Sequence, residues 1–180
     1  DPEDARRAEL AAVRDDWLKP YITPETVALE IGPGGGRWTR YMTEARKIYA
    51  VDMFEGVLDE LRRANWSDRI VYVLNNGSDF PGVADGEVDF LFCFGVLVHL
   101  EKEAIAAYLA EIPRVLKPGT GRCVLQFANK HKKAAADNPG FGHMTPELFE
   151  ALVADSALEI VRMDDALLEH STIAELKLRA

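Results

Sequence analysis

The stretch Val27-Ala28-Leu29-Glu30-Ile31-Gly32-Pro33-Gly34-Gly35-Gly36 joins a short aliphatic run to a loop with four glycines in five residues. The run predicts a strand over Val27–Ile31 that is buried on both faces. The glycines allow a tight turn and let the backbone approach a ligand with no Cβ in the way. Beyond the loop, Trp38, Tyr41, Met42 and Ala45 recur at helical spacing. That spacing predicts a helix whose unpaired N–H groups face the turn. Strand, glycine turn and helix open a βαβ unit.

The pattern repeats outward from this unit. Residues 48–51 form a second strand candidate ending at Asp52, and Phe54, Val57, Leu58 and Leu61 follow the spacing of a helix with one buried face. Strands are expected at Ile70–Leu74, 88–94 and 123–127. A helix with Ile105, Tyr108, Leu109 and Ile112 inward is expected to be irregular near Pro113. Thr145-Pro146-Glu147 places a capping hydroxyl, a first-turn proline and a carboxylate in the order that starts a helix. Near the end, 158–163 is apolar, and Ala174, Leu176 and Leu178 alternate with Glu175, Lys177 and Arg179. This alternation predicts a strand with one wet face, paired antiparallel with its predecessor. Leu10, Val13, Trp17 and Tyr21 predict an N-terminal helical cover over residues 1–26. About five βα units and a terminal antiparallel pair make one α/β domain over residues 1–180.

Thirty acidic residues against twenty-one basic ones give a net charge of −9, which argues against a nucleic-acid partner. The longest apolar run, 90–98, falls far short of the ~20 residues of a membrane span. No secretory leader is visible, and Cys93 and Cys123 sit in apolar runs as free thiols would. A cytoplasmic chain without membrane attachment or a metal centre is expected.

Asp52 lies twenty residues past Gly32 at the end of the second strand. A carboxylate there can accept hydrogen bonds from both hydroxyls of a ribose. A dinucleotide fingerprint requires Gly-x-Gly-x-x-Gly/Ala, and counting from Gly32 puts Arg37 at the last position. The loop instead fits (Asp/Glu)-x-Gly-x-Gly-x-Gly through Glu30, Gly32, Gly34 and Gly36.

With these residues the chain resembles the class I S-adenosylmethionine-dependent methyltransferases over nearly its whole length. Residues 27–36 look like that family's first motif and 50–52 like its second. Residues 76–81 with 88–92 are similar to its adenine-side loop and fourth strand, and 110–119 to its late helix and turn. The start of the helix at 143–148 also resembles the one that follows strand five. The resemblance implies a Rossmann-like, doubly wound, mostly parallel seven-stranded sheet with an antiparallel C-terminal strand and helices on both faces. It implies S-adenosyl-L-methionine as cofactor, with Gly32 and Gly34 against its methionine part and Glu30 and Arg37 near the amino-acid head. Asp52 would hold the ribose, Met53 would lie against the adenine, and Asn76, Gly77 and Ser78 would bracket its edge. The family often has Asp where Asn76 stands, and the amide oxygen can accept in its place. Phe94 would follow the fourth strand into the site.

The expected reaction is methyl transfer to an oxygen or nitrogen of a small molecule, a sugar, glycoconjugate or secondary metabolite. His99 and His143 are the candidate catalytic bases. Residues 128–144, carrying His131 among Lys130, Lys132 and Lys133, form a candidate substrate lid, and His170 is assigned no role. The alternatives are a non-catalytic cofactor-binding or regulatory domain and, third, an NAD-dependent oxidoreductase.

Overall fold

A computed structural model describes residues 2–180; Asp1, where the single domain and its N-terminal cover were taken to begin, lies outside the described residues. Seven strands share one sheet: β1 (Val27–Ile31), β2 (Lys47–Asp52), β3 (Ile70–Leu74), β4 (Phe90–Cys93), β5 (Arg122–Ala128), β6 (Leu158–Asp164) and β7 (Ser171–Leu178). Their order is β3-β2-β1-β4-β5-β7-β6, and β7 alone runs against its neighbours. β1 and β4 are fully buried, as strands covered on both faces must be.

Alternation along β1 divides two cores. Val27, Leu29 and Ile31 face α3 (Lys102–Val115) and α5 (Pro146–Ala154), whereas Ala28 faces the N-terminal segment and Leu61 of α2 (Glu55–Ala64). The N-terminal segment is α1 (Pro2–Ala12), a π-helical stretch Val13–Leu18 and a 3-10 turn Lys19–Tyr21. Trp17 is buried beneath the Arg162 guanidinium, 3.9 Å from its ring, and Tyr21 stacks on Phe90 at 4.6 Å. Thr145 caps α5 by accepting from the Leu148 N–H, and Pro113 sits in the last turn of α3, two residues from its end.

Three expectations need correction. No α-helix follows the glycine loop: residues 37–46 form successive turns around a 3-10 segment, Thr39–Tyr41. Only ten residues separate Gly36 from β2, and the chain closes them with short-range bonds such as Met42 N–H to Thr39 O and Ala45 N–H to Met42 O. Trp38, Met42 and Ala45 are still buried, so their spacing reported burial rather than a helix. Nor does a helix join β3 to β4; a loop anchored by buried Phe80 and Val83 does so. Lastly, β7 has no wet face over most of its length. Lying between β5 and β6, it buries Glu175, which pairs with Arg162 at 2.7 Å and Arg122 at 3.5 Å.

Cys93 and Cys123 are free and buried, and burial pushes the Cys93 thiol up to about 12. No helix among the described residues is long and apolar enough to cross a membrane.

Candidate active site

β1 and β4 lie side by side where the strand order reverses, the place where a crevice opens at the carboxyl ends of a doubly wound sheet. A cavity of about 650 Å³ occupies it. Its floor and near wall are residues 32–38, and Phe94, Gly95, Val98 and His99 come from the segment after β4. Gln126 of β5 lines it too, while Arg6 of α1, Phe141 and His170 close it from above.

The glycines do different work. A Cβ on Gly32 would sit 2.0 Å from Val96 Cγ2, and one on Gly36 2.1 Å from Trp66 Nε1, so these two are demanded by internal packing. At Gly34 and Gly95, both with positive φ, a Cβ would meet nothing within 4 Å and would project into open space. The N–H groups of Gly34 and Gly35 make no hydrogen bond among the described residues. These are free donors on a loop rather than on the helix N-terminus that the spacing implied.

Glu30 lies beneath the loop at 1% exposure. Thr39 Oγ1 donates to its Oε2 at 2.5 Å, while Oε1 is buried with no partner among the described residues. Burial pushes this carboxyl up to about 7, against the lowering effect of the Thr39 bond.

Asp52 stands at the end of β2, outside the cavity lining, and its Oδ1 accepts from the Phe54 N–H at 2.9 Å. Burial raises its pKa, which the backbone bonds partly offset. Met53 and Phe54 beside it are exposed apolar side chains. The Met53 sulfur lies 3.9 Å from the position of a Cβ on Gly77, ordinary van der Waals distance, so Met53 packs against the Gly77 loop. In that loop Asn76 Oδ1 already accepts from the Ser78 N–H, the Ser78 hydroxyl and the Asp79 N–H. The amide oxygen thus pins the loop, and Asn76 presents its NH₂ rather than the acceptor that the family resemblance suggested.

The histidines separate. His99 lines the cavity and its Nδ1 lies 2.8 Å from the Gly140 carbonyl oxygen. A carbonyl can only accept, so Nδ1 carries the proton and Nε2 is the basic nitrogen. His143 lies outside the lining, on the surface, paired with Glu101 at 3.0 Å. His131 pairs with Glu147, whose carboxyl is drawn down to about 2 chiefly by that bond. His170, assigned no role above, does line the cavity: β7 inserts beside β5, and His170 sits in the loop before it. Its Nδ1 is buried with no hydrogen-bond partner among the described residues, and burial lowers its pKa.

Between 128 and 144 the chain carries a short helix, α4 (Lys133–Ala136). The segment is tied to the molecule by His99 to Gly140 and by Lys132, whose ammonium donates to the carbonyls of Asp165, Leu168 and Ser171. Gln126 links wall to sheet, accepting from the Gly95 N–H at 2.7 Å and donating to Ser171 Oγ at 2.7 Å. Arg6, Phe141, Gln126 and His170 had no local sequence signal, because topology alone brings them here.

Sheet order and crevice define a Rossmann-like α/β domain with its site at the β1/β4 switch. Residues 29–125, more than half of the chain, match the model of the methyltransferase domain family. The chain belongs to that family of enzymes, the class I S-adenosylmethionine-dependent methyltransferases. No curated protein sequence matches it. Among similar solved structures, the PH0226 protein from Pyrococcus horikoshii OT3 superposes with a TM-score of 0.77 at 14% identity, over 98% of this chain and 91% of that one. DhpI bound to S-adenosylhomocysteine gives 0.72 at 17%, over 98% and 85%. Geranyl diphosphate C-methyltransferase from Streptomyces coelicolor A3(2) gives 0.73 at 14%, over 97% and 77%. At these identities the likeness concerns the fold.

Proposed function

We propose that this enzyme transfers the methyl group of S-adenosylmethionine to an oxygen or nitrogen nucleophile of a small molecule, with a sugar, glycoconjugate or secondary-metabolite acceptor as the class to test. The observation that carries the placement is the cradle at the β1/β4 crevice. Gly34 and Gly95 leave open space where side chains would stand, and directly beneath lies a carboxylate oxygen, Glu30 Oε1, with no partner. A cofactor with an ammonium and a carboxylate on one carbon fits such a set: Glu30 offers an acceptor, and Arg37 and the free loop N–H groups offer donors. Asp52 takes the ribose hydroxyls, Met53 lies against the adenine, and Asn76, Gly77 and Ser78 bracket its edge. Phe94 walls the passage between cofactor and acceptor. Support for a small acceptor comes from the geranyl diphosphate enzyme of similar fold, which holds a small molecule.

The cofactor supplies a methyl group on a sulfonium sulfur. The chain's part is to hold the acceptor in line with it and keep water out. A hydroxyl acceptor must lose a proton, and His99 is placed to take it on Nε2 while the Gly140 carbonyl fixes its tautomer. His143, exposed and engaged with Glu101, is not assigned that role. Residues 128–144 serve as the lid, with Phe141 packed 5.4 Å from His99 and 5.0 Å from His170, ring centre to ring centre.

Calorimetric titration with S-adenosylhomocysteine and with NAD tests the reading, followed by assay of acceptor panels for S-adenosylhomocysteine release. Binding of the first ligand alone, with turnover on a small hydroxyl or amine, is the expected result. Binding of NAD alone, or no binding of either, would overturn it.

A further inference from the structure

The charge lining the crevice is unlike that of the molecule around it. The chain carries nine net negative charges, yet the cavity is lined by Arg6, Arg37 and Arg40 with no carboxylate among its described lining residues. Arg6 and Arg37 make no hydrogen bond or ion pair among the described residues. Arg40 borders both this cavity and a neighbouring one lined by Tyr41 and Glu44; its guanidinium donates to the Tyr41 hydroxyl at 3.0 Å and lies 4.8 Å over that ring. His170, beside Arg6, has a buried ring nitrogen with no hydrogen-bond partner among the described residues.

The cofactor does not balance this surplus. S-adenosylmethionine is itself a cation: even with its ammonium answered by Glu30 beneath the loop, its sulfonium and its one carboxylate only cancel, and the arginines stay unbalanced. That carboxylate can engage one guanidinium, and Arg37 on the glycine loop is the one assigned to it. Two arginines then face the remaining space together with a positively charged sulfur. Like charges gathered in a partly enclosed cavity repel, and the repulsion is relieved by an anion bound among them.

Resting on the methyltransferase reading above, we propose that the methyl acceptor is an anion, a small molecule bearing a phosphate-type or carboxylate group that sits between Arg6 of α1 and Arg40, with the rest of the molecule against Phe94, Phe141 and His99. Guanidinium groups suit such oxyanions because they donate in parallel pairs. The N-terminal segment is then part of the acceptor site as well as a cover for the sheet.

The test uses the whole chain saturated with S-adenosylhomocysteine and three probes of equal ring size: phenyl phosphate, benzoate and phenol. The saturating titration reports on the cofactor reading by itself. If S-adenosylhomocysteine fails to bind, that reading fails, and the same three probes run on the free protein still report on the anion site. Phenyl phosphate or benzoate is expected to bind at least roughly tenfold more tightly than phenol, the scale of a charge-assisted hydrogen bond. Arg6→Gln and Arg40→Gln should each weaken phenyl phosphate by about tenfold or more. Arg7→Gln, the same charge change on the same helix but at an exposed residue paired with Glu3, should leave it unchanged. Equal binding of phenol and phenyl phosphate, an unchanged affinity in the Arg6→Gln/Arg40→Gln double variant, or displacement of S-adenosylhomocysteine by phenyl phosphate would overturn the proposal. So would the absence of binding by all three probes at millimolar concentration.

Discussion

Glu30 holds a carboxyl where water cannot reach it, with one oxygen bonded to Thr39 and the other to nothing. Its folded-state pKa of about 7 lies above the ordinary 4.5, so between these values the folded chain binds more protons than the unfolded one. The group therefore favours folding below about pH 4.5, and that contribution is lost as pH climbs to 7. Glu30→Gln should remove this slope from the pH dependence of thermal unfolding. At pH 8 it should stabilise the ligand-free protein, by up to about 3 kcal/mol, while weakening S-adenosylhomocysteine binding. The glycines can be separated in the same pair of measurements. Gly34→Val should lose only about 1–2 kcal/mol of stability for its left-handed backbone, yet bind no cofactor. Gly32→Ala should lose more, about 2–5 kcal/mol of stability, because the same left-handed backbone cost is joined by a Cβ that meets Val96. Asp52→Ala should weaken S-adenosylhomocysteine by roughly 1.5–3 kcal/mol, and an unchanged dissociation constant would argue against the ribose placement.

Among the elements, those fixed by local pattern are legible in the sequence: the buried run of β1, the one-faced α2, the capped start of α5. Misreadings fell where tertiary placement decides. Trp38, Met42 and Ala45 keep helical spacing, but ten residues between Gly36 and β2 fold as turns that bury the same side chains. Glu175 reads as solvent-facing, and two arginines on neighbouring strands let it be buried instead. The segment 128–144 and the loop before β7 meet through Lys132, whose ammonium is shared by three carbonyls. Lys132→Ala should loosen both, raising amide exchange in 165–171 by the loss of about 1–3 kcal/mol of local opening free energy. Exchange confined to wild-type rates there would show that the two loops are held independently.

At the scale of the whole molecule the site divides by how it is encoded. The glycine loop and Asp52 lie on consecutive strands and could be found by spacing, whereas Arg6, Gln126, Phe141 and His170 come from both ends of the chain and meet only through the sheet order. Cofactor bound at such a junction should stabilise the chain as one unit. A single unfolding transition is expected to shift by about 2.7 kcal/mol at a hundredfold excess of S-adenosylhomocysteine over its dissociation constant; two separable transitions would contradict this. The position of β7 also bears on how the protein is made. β6 is synthesised before β7, yet among the described residues β7 is its one strand neighbour, so on the ribosome β6 has no strand partner until the nascent chain is complete through Leu178. Until then the edge of β5 stays open and Gln126 lacks Ser171, leaving the growing chain with an unpaired strand edge.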